Sequence, residues 1–145
     1  MPNTIAVGVA FEDAQLNGAI MGKAGGTAGF YGTTPVVQGA PTALTADATL
    51  TAAQLSNGLF TSDSAADITA TLPTVALLEA DITAASKVNA AFEFAIVVVD
   101  TSYQVTLAVG TGWTIVGNPV VLESTSGRFL ARKTSDSTWT AYRIA

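Results

Sequence analysis

Residues 92–100 read Phe-Glu-Phe-Ala-Ile-Val-Val-Val-Asp, a run built from aromatic and β-branched side chains with one interior charge. So short and apolar a run is the pattern of a strand buried in a sheet. The chain beyond it keeps the same character. Tyr103, Val105, Leu107 and Val109 alternate with polar or small residues, and further strand-like segments cover Trp113–Val116, Val120–Glu123, Gly127–Lys133 and Thr138–Ile144. Gly110-Thr111-Gly112, Gly117-Asn118-Pro119 and Ser135-Asp136-Ser137 separate them as turns. Strands at intervals of about 8 to 12 residues with turn signals between them indicate a sandwich or barrel.

Upstream, Leu59–Thr61 and Ile68–Leu72 read as two short strands, and Leu44–Leu50 as an extended segment. Thr51 is placed to cap a single helical turn before Asn57-Gly58 reverses the chain. After Pro73, Thr74 caps a helix whose Val75, Leu78 and Ile82 form one apolar stripe, with Glu79 and Asp81 on its solvated side. The expected fold is mainly β: a compact β-sandwich or barrel-like domain over residues 47–145 with one short helix and no internal repeat.

Residues 1–46 differ in kind. They hold 8 of the 13 glycines and three charges, Glu12, Asp13 and Lys23. Ile5, Val7, Val9 and Phe11 alternate as in an extended segment, but glycines at 22, 25, 26, 29 and 32 oppose any regular element. This stretch reads as an extended Gly-rich N-terminal arm, with a reach on the order of 100 Å if fully extended. Phe30, Tyr31, Pro35, Val36, Val37 and Gln38 are its candidate partner-binding residues, because so apolar a segment needs another surface to lie on and Val36-Val37 suit addition to a sheet edge.

A chain of 145 residues has room for one domain that buries roughly 70% of its unfolded surface. Charged residues make up 12%, about half the usual ~25%. Such a weakly charged surface suits lasting contacts. The net charge of −5 is unevenly placed: residues 1–123 carry ten acids and two bases, residues 124–145 four bases and one acid. Arg128, Arg132, Lys133 and Arg143 are therefore candidate inter-subunit contacts. Four scattered bases on an acidic chain make a poor phosphate footprint, so nucleic acid is not an expected partner.

Cysteine and histidine are absent from the sequence, which removes disulfides, the usual zinc sites, thiolate nucleophiles and the commonest general base near neutral pH. Asp63 and Asp67 stand four apart but lack the density of a calcium loop. No Gly-x-Ser-x-Gly, phosphate-binding or dinucleotide-binding pattern occurs. The expectation is a non-enzyme without metal or cofactor. A basic and apolar leader is not seen at the N-terminus, and glycines and Pro119 break the longest charge-free tract, so no membrane association is expected. Trp113 and Trp139 sit in Thr-flanked alternating strands, where packing is the expected role and glycan stacking the alternative. Glu93 is placed to pair across the sheet with a C-terminal arginine.

The segment Gly29-Phe30-Tyr31-Gly32-Thr33-Thr34-Pro35-Val36-Val37-Gln38 resembles the Phe/Tyr-Gly-x-x-Pro-Val-x-Gln stretch of many structural proteins of tailed bacteriophages. Ala91-Phe92-Glu93-Phe94, Val105-Thr106-Leu107, Gly110-Thr111-Gly112, Gly117-Asn118 and Ser126-Gly127-Arg128-Phe129 look like a β-domain recurrent in virion proteins. The resemblance covers about residues 29–145 and transfers no catalytic residue. It implies a virion component and a homotrimer. On that footing the expected role is a capsid decoration or cement protein, assembled in the host cytoplasm, whose arm binds the major capsid protein. The alternative is a tail-fibre or receptor-binding module that recognises host glycan.

Overall fold

The computed structural model describes residues 38–82, 85 and 87–145. Phe30, Tyr31, Pro35, Val36 and Val37, with the rest of residues 1–37, lie outside the described residues. The domain contains ten strands and two helices: β1 (Thr42–Leu44), β2 (Ala48–Thr49), α1 (Ala52–Asn57), β3 (Leu59–Ser62), β4 (Ile68–Thr71), α2 (Val75–Asp81), β5 (Ala91–Val98), β6 (Val105–Ala108), β7 (Trp113–Val116), β8 (Val120–Val121), β9 (Ser126–Ser135) and β10 (Thr138–Arg143). They form two sheets, one of six strands in the order β1-β3-β5-β9-β10-β7 and one of four in the order β2-β4-β6-β8.

The first six strands are wound as a coil. β1, β3 and β5 stack in parallel in the larger sheet, with Thr42 opposite Phe60 and Phe60 opposite Ile96. β2, β4 and β6 stack in parallel in the smaller one, with Ala48 opposite Ala70 and Ile68 opposite Val105. Each circuit crosses from the larger sheet to the smaller through a turn and returns through a helix. The C-terminal strands then close the structure differently: β8 runs antiparallel to β6, β9 antiparallel to β5, and the β9-β10 hairpin carries β7 in parallel on its far side.

Local chemistry explains the punctuation. Thr51 and Gln54 form a reciprocal capping box at the start of α1, each side chain bonding the other's backbone N–H at 3.1 and 2.9 Å. Gly58 ends that helix at φ +75°, a left-handed conformation in which a side chain would be strained. Thr74 caps α2 as its spacing predicts, and Val75 and Leu78 are buried beneath it. One core runs between the sheets. Phe60, Phe94, Ile96, Val98, Phe129, Ala131, Trp139 and Ala141 enter it from the larger sheet, and Ile68, Ala70, Val105, Leu107 and Val121 from the smaller. Gly127 lets the layers close: a Cβ there would sit 2.7 Å from the Val121 side chain and 2.9 Å from the Arg143 guanidinium carbon.

The mainly β reading holds, with turns at Asn57-Gly58, Gly110–Gly112, Gly117-Asn118 and residues 136–137. Three details differ. The described residues hold two helices, since the turn after Thr51 extends to Asn57 as α1. β1 is part of the larger sheet although it precedes residue 47, and Gln38 Nε2 already bonds the Asn57 carbonyl at 2.6 Å. A repeat does exist, but in backbone pairing: the second circuit is much longer than the first, so no sequence period accompanies it.

Candidate interaction surfaces

Both tryptophans face inward, Trp113 at 7% exposure and Trp139 at 1%. Their indole N–H groups are satisfied inside, Trp113 Nε1 donating to the Pro73 carbonyl at 2.8 Å and Trp139 Nε1 to Glu79 Oε1 at 3.0 Å. They belong to a line of rings. Trp113 lies 5.7 Å from Trp139, Trp139 5.6 Å from Phe92, Phe92 6.4 Å from Phe94, and Phe94 stacks on Phe129 at 5.2 Å. Neither tryptophan offers a face for a sugar.

The four C-terminal bases divide into two inward and two outward. In β9, Gly127, Phe129, Ala131 and Lys133 point to the core by strand alternation, so Lys133 is 2% exposed and meets Glu79 at 2.6 Å. Glu79 is therefore not a solvated helix residue: its side chain is 21% exposed and bridges α2 to the larger sheet. Hydrogen bonds from Lys133 and then Trp139 hold its carboxyl below the ordinary value of 4.5, against the opposing effect of burial. Arg143 lies over the Phe129 ring at 5.2 Å and donates to the carbonyls of Val120 at 2.9 Å and Asn118 at 3.3 Å, tying the C-terminus to the β7–β8 turn.

Arg128 and Arg132 point the other way. Arg128 pairs with Glu93, as the strand alternation predicts, and Arg132 Nη2 donates to Asn89 Oδ1 at 2.5 Å. Register places Leu59, Ala95, Val97, Leu130, Tyr142 and Val116 on the same outward side of the six-stranded sheet. The same side carries Thr61, Thr114, Ser126 and Thr140 and is thus of mixed character, an apolar strip flanked by hydroxyls, two arginines and one carboxylate.

A second surface forms where the chain crosses between sheets. The turns at residues 45–47, 63–67, 99–104 and 122–125 lie side by side, because the strands they join are stacked. Bonds between neighbouring turns fix them: Ser64 Oγ donates to the Thr45 carbonyl, Gln104 N to Asp67 Oδ1, and Ser124 N to the Asp100 carbonyl. Five carboxylates stand along this edge, Asp47, Asp63, Asp67, Asp100 and Glu123, with no lysine or arginine in the same four turns. Asp47, Asp67 and Asp100 accept backbone N–H groups. Asp63 and Glu123 have no partner among the described residues. Val99 (57%), Leu122 (49%) and Tyr103 (39%) are exposed between them.

Sequence reading missed this edge because it treated each turn separately, although every turn between the stacked strands carries an acid. A groove of about 500 Å³ between the two helices is lined by Leu50, Ala52, Pro73, Leu77 and Ala80, with Asp81 at its rim. Among the described residues, no group of three or more acidic side chains is disposed to hold a metal ion, and no helix is long and apolar enough to cross a membrane. Compared with known proteins, the chain matches no family model, no curated protein and no solved structure.

Proposed function

We propose that the chain is a virion structural protein of a tailed bacteriophage, a decoration or cement protein that binds the outer capsid surface and bridges capsid subunits. The reading rests on the segment Gly29–Gln38, whose pattern resembles virion structural proteins and whose Phe30, Tyr31, Val36 and Val37 would bury apolar surface on binding, so that apolar and main-chain contacts offset the entropy lost on ordering. The low charge of the sequence and the apolar strip on the outward side of the six-stranded sheet favour a life in permanent contact. The inward tryptophans remove the aromatic platform that a glycan-binding fibre module would draw on.

Co-sedimentation with capsids lacking the protein tests the reading, comparing the full chain with a chain beginning at Gln38. That truncation keeps the whole compact unit Gln38–Ala145, with the bond from Gln38 to Asn57. The full chain should pellet with capsids, and the shortened one should bind at least tenfold more weakly. Equal binding by both removes the arm from the mechanism, and binding by neither overturns the cement reading.

A further inference from the structure

The molecule presents two surfaces of opposite character that no intramolecular contact among the described residues pairs together. One is the turn edge, with five carboxylates around exposed Val99, Tyr103 and Leu122. The other is the outward side of the six-stranded sheet, where Arg128, paired with Glu93, and Arg132 stand among Leu59, Leu130 and Tyr142. We propose that these surfaces bind each other between copies, the turn edge of one chain docking on the outward sheet side of a second.

Charge decides between this junction and its alternatives. Placing two turn edges together would set five carboxylates against five, whereas the sheet side offers two guanidinium groups against the single carboxylate of Glu93, beside an apolar strip of Leu59, Leu130 and Tyr142. The contact joins different surfaces, so it is head-to-tail, and successive copies either close into a ring or continue as a filament. Arg128 keeps a side-chain exposure of 57% while paired with Glu93, so its guanidinium is reachable from solvent. Asp63 and Glu123 flank the apolar centre and accept no backbone bond, so they are the edge acids available to a partner.

Native mass spectrometry and sedimentation velocity on the full chain, without capsids, test the junction separately from capsid binding. The wild type should self-associate. An edge variant, Asp63→Lys with Glu123→Lys, and a sheet variant, Arg128→Gln with Arg132→Glu, should each weaken association at least tenfold while retaining the wild-type circular dichroism spectrum. Mixing the two should yield heterodimers, because one keeps a working edge and the other a working sheet side. A monomeric wild type, variants that associate as the wild type does, or a mixture without heterodimers would overturn the proposal. If a variant loses its fold, Leu122→Asn and Leu130→Asn replace the charge changes and carry the same expectations.

Discussion

The inner faces of the two sheets share one core but fill it with different material. The six-stranded sheet contributes rings, Phe60, Phe92, Phe94, Phe129, Trp113 and Trp139, interspersed with Ile96, Val98, Ala131 and Ala141, whereas the four-stranded sheet contributes aliphatic side chains alone, Ile68, Ala70, Val105, Leu107 and Val121. Large groups against small ones let the layers interdigitate at protein density. The larger sheet also brings polar atoms that burial would otherwise penalise, two indole N–H groups and the Lys133 ammonium. Their acceptors come from the Pro73 carbonyl just after β4 and from Glu79 on α2. Size therefore holds sheet to sheet, while hydrogen bonding and charge hold α2 to the rings.

That division makes ordered predictions, each measurable by urea unfolding of the variant beside the wild type. Trp139→Ala should be the most damaging, at about 4 kcal/mol, since it opens a cavity in the line of rings and removes a donor from Glu79. Glu79→Ala should cost about 3 kcal/mol by leaving Lys133 buried without this carboxylate. The same pair gives a pH dependence. Because the folded-state pKa of Glu79 is depressed, its contribution is fully present above about 4.5 and fades as pH falls through the lower folded value. Stability of the wild type should drop more steeply below that point than stability of Glu79→Gln; parallel profiles would mean that the pair does not fasten α2.

On the small-residue side, Ile68→Val should cost only about 1 kcal/mol. A loss as large as that of Trp139→Ala would break the comparison, because it would place the critical packing in the four-stranded sheet. Thr51→Ala, which deletes half of the α1 capping box, should also cost about 1 kcal/mol. Arg128→Ala should fall at the bottom of the series, below about 0.5 kcal/mol, since its pairing with Glu93 is screened by solvent. A large effect there would give the outward side a structural part in the monomer.

Much of this fold is legible in the residues because local signals are strong. The run Phe92–Val98 and the alternation at Gly127, Phe129, Ala131 and Lys133 announce strands, and Thr51, Thr74 and Gly58 mark helix ends. Pairing is less legible. No local feature states that Phe60 lies between Thr42 and Ile96, because α2 and the segment after it lengthen the second circuit without disturbing the register. The same distance in sequence hid the Glu79–Lys133 pair: the helical stripe of Val75, Leu78 and Ile82 suggests a solvated flank, and only tertiary folding brings β9 to it. Lys133 carried a signal nonetheless, since it shares strand parity with Phe129 and Ala131. The turn edge became visible only once stacking placed Asp47, Asp67, Asp100 and Glu123 along one border.

The unequal circuits carry a practical consequence. The stack keeps its register whether the return path holds α1 alone or α2 followed by residues up to Ala90. Lengthening a flexible return adds only about 0.6 kcal/mol for each doubling. Chain length in a return path is thus weakly constrained by the stack, and a foreign peptide spliced at the exposed Lys87-Val88 step would cost chiefly the turn bond from Ala90 N to the Lys87 carbonyl, without rewriting either sheet.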